Sequence, residues 1–198
     1  YGKAEASASV MVSKKEQDSF QITNKEVTYG ETKRIAVGGV GTLSAEIISE
    51  NGYSIAEVSV EEDNLIVKGQ KAGKVTVKVS RSGGTNYNPK SEEVEFSILP
   101  RKLHIHTTAT DKAYDGKIDA EVSLAEENPI AVEDLLETDR VYADKIKSLV
   151  TIKSAVFQKA NAGEQEADIV LEWKTPAAGD TIAEGLIRNY ELAGDKPK

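Results

Sequence analysis

The chain has 198 residues, of which 39% are hydrophobic and 29% charged. That length suits one large domain or two of about 100 residues each, and the composition is neither that of a disordered segment nor, with no apolar run near 20 residues, that of a membrane helix. The formal net charge of -8 repels phosphate backbones and argues against nucleic acid as a partner, while the absence of cysteine excludes disulfides, thiolate metal sites and cysteine nucleophiles.

Taken in chain order, period-two alternation dominates. Ile35 to Val37, Val58 to Val60 and Leu65 to Val67 are short strand signals, and Val75, Val77 and Val79 alternate with Thr76, Lys78 and Ser80. Val94, Phe96 and Ile98 follow the same rule, then Leu103 to Ile105, Val122 to Leu124, Val150 to Ile152, and last Ile169, Leu171 and Trp173. Successive side chains of a strand point to opposite faces, so each run predicts one buried and one wet face. Turn signals fall between them at Gly38-Gly39, Asp63-Asn64, Ala72-Gly73, Gly83-Gly84, Asp115-Gly116 and Ala162-Gly163. Together they predict an all-β chain of sandwich type or a related antiparallel sheet. One stretch departs from period two. From Pro129 to Leu149 the apolar residues Val132, Leu135, Leu136, Tyr142, Ile146 and Leu149 recur at steps of three and four, which predicts one or two short helical turns. Asn128 would cap them and Pro129 would sit in the first turn. Thr181 to Leu186 is expected to form another single turn. No basic-then-apolar leader opens the sequence, which reads as a mature or trimmed chain.

Self-similarity is the most informative feature. Ala8, Val10 and Val12 fall 86 residues before Val94, Phe96 and Ile98, with Tyr1 falling on Tyr87, and basic pairs follow each run at Lys14-Lys15 and Arg101-Lys102. Tyr29-Gly30 recurs 85 residues on, as Tyr114-Asp115-Gly116, and Asn86-Tyr87 recurs as Asn189-Tyr190. Ordered landmarks at a fixed period predict an array. Residues 1–15 then read as a strand related to the end of an upstream module, or one reused within this chain. Residues 16–99 read as one β module, 100–194 as a second lengthened by the helical insertion, and 195–198 as a linker.

These residues carry a resemblance. Ser54 to Val60, then Leu65 to Gly69, and Lys71-Ala72-Gly73 leading into Val75-Thr76-Val77, resemble a bacterial immunoglobulin-like domain of the second group. Val27 to Gly30 and Thr85 to Pro89 are similar to the Tyr-Gly type repeat that accompanies such domains. The second module, through Asp111 to Gly116, Ala155 to Phe157, Asn161 to Gly163 and Asn189 to Leu192, resembles the Tyr-Asp-Gly repeat of filamentous-haemagglutinin-like surface proteins. The resemblance implies two tandem immunoglobulin-like or related antiparallel β-sandwich modules, export to the bacterial cell surface or cell wall, and no catalytic residues. The segments from Pro129 to Leu149 and from Trp173 to Ile187 are longer than that pattern.

Each candidate site has a plain structural alternative. Gly30 and Gly116 fit positive φ, and Tyr29 and Tyr114 are placed to cover the end of a core with their hydroxyls on backbone; Asn86, Tyr87, Asp115, Asn189 and Tyr190 complete these structural motifs. His104 and His106 share one face of a strand, as a zinc pair would, but with Leu103 and Ile105 inward the histidines are expected to be wet. Trp173 alternates with Glu172 and Lys174 and is expected in the core rather than as a sugar platform. Carboxylates such as Glu126, Glu133, Asp134, Asp139 and Asp144 lack calcium-loop spacing and read as solvated faces. No phosphate loop, dinucleotide fingerprint or nucleophile elbow is present, so no catalytic, cofactor or metal residues are expected. The expectation is a non-catalytic structural spacer of a secreted or cell-surface repeat protein involved in adhesion, with neighbouring repeat modules as partners. The alternative is an adhesin module that binds a host protein or glycan through residues 129–149.

Overall fold

The computed structural model describes residues 7–194. Its strands in chain order are β1 (Glu26–Thr28), β2 (Thr32–Ala36), β3 (Leu43–Ile47), β4 (Ala56–Glu61), β5 (Asn64–Gly69), β6 (Gly73–Arg81), β7 (Lys90–Leu99), β8 (Arg101–Ile105), β9 (Thr107–Thr110), β10 (Glu121–Leu124), β11 (Val150–Phe157), β12 (Ala167–Trp173) and β13 (Tyr190–Gly194). Helices are few and short: α1 (Gly52–Ile55), α2 (Ala143–Leu149) and α3 (Thr181–Asn189), with 3₁₀ turns at Val132–Asp134 and Glu137–Tyr142. The fold is all-β.

Up to Leu99 the strands form two sheets, of order β1-β7-β6-β3 and β2-β5-β4. All ladders are antiparallel except the one joining β1 to the end of β7, where Val27 faces Ile98. The alternation read from sequence is realised most completely in β5, β6 and β7, while Ile35, Val58 and Val60 of β2 and β4 are only partly buried. Val75, Val77 and Val79 are fully buried, as are Leu65 and Val67 of the other sheet and Phe96 of β7, and they share one core cluster with Phe20, Ile22, Val27 and Ile98. β-branched side chains fill such a pleated face well, and each one taken out of water is worth roughly 1.5–3 kcal/mol. The outward residues pair across strands, as Lys74 does with Glu95 at 2.7 Å and Lys78 with Glu46 at 3.3 Å.

At the end of β6 alternation turns Arg81 inward, where it is 2% exposed. Its guanidinium donates to the carbonyls of Val37, Gly38 (3.1 Å) and Gly41 (2.8 Å), and to Asp63 at 2.7 Å. A buried guanidinium is tolerated because its donors are met.

A single residue, Pro100, separates β7 from β8. A second core cluster begins there, with Leu103, Ile105, Ile130, Leu135, Ile146, Val150, Leu186 and Tyr190. Around it the sheets are two-stranded: β9 with β10, β11 with β12, and β8 with β13 in parallel.

Several sequence expectations change. Residues 7–14 form no strand, although Ala8, Val10 and Val12 alternate; β6, against which their counterparts Val94, Phe96 and Ile98 lie, is already paired with β7 along its whole length. Lys15 forms an isolated parallel bridge to Tyr87, just ahead of β7, and Gln17 donates to the Asn88 carbonyl at 2.8 Å. Tyr1 and residues 195–198, assigned to an upstream strand and a linker, lie outside the described residues. Asn128 has φ +48° but caps no helix, because Ile130 pairs as a bridge with Ile105 and the first turn starts only at Val132. The predicted single turn at Thr181 is a nine-residue helix, capped by Asp180, whose side chain accepts from the Ala183 N–H at 3.1 Å.

Candidate functional site

The two core clusters are joined by a set of contacts centred on a pair of tyrosines. Tyr29 ends the β1 segment, and its N–H bonds the Leu99 carbonyl at 2.8 Å. This carries its ring past the first core and into the second, where it packs with Leu103, Ile105 and Tyr190. Tyr190 opens β13 and is 1% exposed. The rings meet edge to face, with centroids 5.6 Å apart and planes at 87°, the arrangement favoured by ring quadrupoles.

Both hydroxyls converge on one carboxylate oxygen. Tyr29 Oη donates to Asp139 Oδ2 at 2.9 Å and Tyr190 Oη at 2.7 Å, while Tyr190 Oη accepts from the Leu136 N–H at 3.0 Å. Hydrogen bonds to a carboxylate are among the stronger neutral-to-charged bonds. Burial, reinforced by the bond to Asp139, pushes the Tyr29 hydroxyl up to about 12 and raises that of Tyr190 as well. The phenols therefore stay protonated and act as donors.

Three further contacts flank the pair. Gly30, at φ +81°, lies directly against the Leu136 side chain, where a Cβ would overlap it. Asn189 Oδ1 accepts from the Ala72 N–H at 2.9 Å. Arg101 Nε donates to the Asp134 carbonyl at 2.7 Å, and Asp134 Oδ2 in turn holds both the His104 N–H and ring Nδ1, at 2.9 and 2.8 Å. Burial opposes ionisation of Asp134, but the two His104 hydrogen bonds and the nearby Arg101 outweigh it and hold the carboxyl below its usual range.

Among the predicted motif residues, Tyr29, Gly30, Asn189 and Tyr190 are thus brought together. Asn86 and Tyr87 sit elsewhere, where their backbone carbonyls accept from the Lys15 and Gly84 N–H groups at 2.8 and 3.1 Å. Tyr114 does not cover a core. It is 69% exposed, in a turn closed instead by Asp115, whose side chain accepts from the Lys117 N–H at 2.9 Å and pairs with Lys112 at 3.1 Å. Those contacts, the backbone bond first, lower the Asp115 carboxyl. His104 is half-exposed and paired with Asp134 rather than simply wet, and His106 donates its N–H to the Pro129 carbonyl at 2.9 Å. Among the described residues no three His, Asp or Glu side chains converge to hold a metal ion. Trp173 packs against the second core while staying partly exposed.

Sequence reasoning placed Asp139 and Asp134 on a solvated face, and both instead organise the joint. Residues 129–149, expected to form a binding loop in the adhesin reading, turn Ile130, Ala131, Leu135, Ile146 and Leu149 inward. The signal available was their three-and-four spacing, which marks an inward face but does not say which neighbour it meets.

The same parallel pairing recurs in both halves. Lys15 bridges Tyr87, and Arg101 pairs with Tyr190; these are the positions that the internal repeat equates. No protein-family model matches the chain, and no curated protein matches it. No helix among the described residues is long and apolar enough to cross a membrane.

Proposed function

We propose that the chain is a non-catalytic spacer segment of a bacterial cell-surface or secreted repeat protein, made of two β modules, residues 16–99 and 100–194, held at a fixed angle. The observation that carries this reading is the clasp, in which Tyr29 and Gly30 of the first module are bound by Leu136, Asp139 and Tyr190 of the second. A one-residue connection at Pro100 has little slack, and a proline fixes φ there. A second buried contact region beside it removes the freedom that remains. The repeated landmarks, and the shared Lys15–Tyr87 and Arg101–Tyr190 pairings, support descent from one repeated unit. Export to the surface rests on the resemblance to surface repeats. The neighbours in this reading are further modules of the same chain, and holding a distal domain away from the cell needs stiffness rather than chemistry.

Small-angle scattering tests the mechanical part. The unaltered chain is expected to give one narrow distribution of dimensions. Tyr29→Ala combined with Asp139→Ala should broaden it while strand content by circular dichroism stays the same. An unaltered chain already as broad as that variant refutes the spacer. Antibody against the chain, applied to intact source cells, tests the compartment, and labelling only after lysis refutes a surface location.

A further inference from the structure

We infer that Asn51-Gly52 is a site of spontaneous covalent modification, where Asn51 loses its side-chain amide to become aspartate or isoaspartate, and that the folded corner around it sets the rate. Nothing in this depends on the spacer reading or on the surface location.

The reagents are the chain itself and water. The Gly52 main-chain nitrogen, on losing its proton, bonds to Asn51 Cγ, and the side-chain nitrogen leaves as ammonia. The product is a five-membered imide, which water opens. If the bond from Gly52 N to Cγ breaks, Asn51 becomes aspartate. If the bond from Gly52 N to the Asn51 main-chain carbonyl carbon breaks, it becomes isoaspartate, and the backbone then runs through Cβ and Cγ. The net change is one water taken up and one ammonia released. Asparagine is a thermolabile residue, and a following glycine, with no Cβ, obstructs the ring closure least. Asn51 is the only asparagine in the sequence followed by glycine, and Asn88 and Asn128 precede prolines, which have no N–H to attack.

The structure exposes one reacting group and ties down the other. Asn51 is exposed, at φ +59° and ψ 7°, and its side chain makes no capping bond to α1. Gly52 is held. Its N–H donates to the Ser49 carbonyl at 3.1 Å, and the Asn51 carbonyl accepts from the Ser54 N–H at 3.0 Å and from Ser54 Oγ at 2.7 Å. With ψ near zero the Gly52 nitrogen is turned away from the Asn51 side chain. It has no room to swing across, because Gly52 is buried and a Cβ placed on it would stand 2.3 Å from Ile47, 2.5 Å from Ser49 Oγ and 3.0 Å from Val75. Attack therefore waits for the turn to open.

The site matters because of where it sits. Residues 48–55 cross from β3 in the four-stranded sheet to β4 in the three-stranded one, and Ile47 and Val75, which close over Gly52, belong to the first core. Isoaspartate lengthens the main chain at this crossing, and either product carries a charge that the amide lacked. The Ile55 carbonyl at the end of the crossing accepts from the Gln70 and Lys71 N–H groups at 2.9 and 3.1 Å, and the next residue, Ala72, bonds Asn189 of the second half. Modification at Asn51 thus loosens the corner of the first half that adjoins the joint.

The full chain, held in mildly alkaline buffer, is followed by peptide mapping with fragmentation that distinguishes aspartate from isoaspartate. Conversion should appear at Asn51 before any other asparagine and be absent at that position in Asn51→Gln. It should be measurable in the folded chain but at least about tenfold slower than in urea. Ser54→Ala, which removes one bond to the Asn51 carbonyl, should speed it about two- to tenfold while strand content by circular dichroism stays the same. In the isoaspartate form, separated by chromatography, the Gln70 and Lys71 amides should exchange with deuterium faster than in the parent. An Asn51 that stays intact in the folded chain, earlier conversion at another asparagine, equal rates with and without urea, or a Ser54→Ala rate equal to the parent's overturns the assignment. Unchanged exchange at Gln70 and Lys71 overturns the effect on the corner.

Discussion

Tyr29 and Tyr114 both precede a glycine of positive φ, at +81° for Gly30 and +75° for Gly116, yet Tyr29 is 8% exposed and bonded to Asp139 whereas Tyr114 is 69% exposed. The turns differ in detail, since the Glu31 N–H closes the first on the Thr28 carbonyl at 2.9 Å while the Asp115 side chain closes the second on the Lys117 N–H at 2.9 Å, and what stands opposite differs too. Leu136 and Asp139 of the lengthened second half meet the first tyrosine, and nothing comparable meets the second. A recurring Tyr-Gly landmark therefore does not fix the role of its tyrosine, which is set by the element that packs against it.

Truncation should separate the two classes of tyrosine most strongly. Tyr190→Ala, which empties the partner half of the clasp, is expected to cost about 3–5 kcal/mol by chemical denaturation followed through Trp173 fluorescence, and Tyr114→Ala less than about 0.5 kcal/mol. Similar costs for both would erase the distinction. Alkaline titration comes next. The Tyr29 hydroxyl is raised from its ordinary value near 10 to about 12, so its contribution is complete below pH 10 and fades as pH climbs to about 12. A fall on the order of 2 kcal/mol is expected across that window and should vanish in Tyr29→Phe with Tyr190→Phe. A fall of the same size in the double variant would locate it elsewhere.

The glycines sharpen the comparison at a finer level. Placing a Cβ at positive φ costs about 1–2 kcal/mol on backbone grounds, and that should be the whole cost of Gly116→Ala, where nothing lies within 4 Å of the new atom. Gly30→Ala should cost more, because Leu136 must also give way. Within the clasp the smallest effects are the single hydroxyl deletions Tyr29→Phe and Tyr190→Phe, about 1 kcal/mol each. Since both donate to Asp139 Oδ2, their effects should be non-additive by at least about 0.5 kcal/mol in a double-mutant cycle. Simple additivity would mean that the carboxylate does not couple them.

Strand positions in the first half were legible because Val75, Val77 and Val79 alternate against polar neighbours over a long run, and because two complete sheets let that pattern be satisfied. In the second half Ile169, Leu171 and Trp173 alternate just as clearly but stay partly exposed beside a smaller core, a degree of burial that periodicity does not reveal. The tyrosine motifs were visible as a repeat, and that located half of the joint. Asp139 was not, since a carboxylate among many on an acidic chain carries no mark of its partner until the chain across their separation of 110 positions is folded. Arg81 was hidden for a related reason: its inward position follows from the alternation of β6, but its tolerance there depends on carbonyls contributed by the turn at Val37 to Gly41.

The parallel pairings of β1 with β7 and of β8 with β13 fix how the polypeptide is threaded. When the first and last strands of a unit run the same way, the backbone arrives at one pole and departs from the opposite one. Tension applied to the ends then pulls these strands lengthwise past each other, so their hydrogen bonds resist together instead of peeling in succession. Such threading yields late and abruptly under load, a property suited to material that is tugged from both ends.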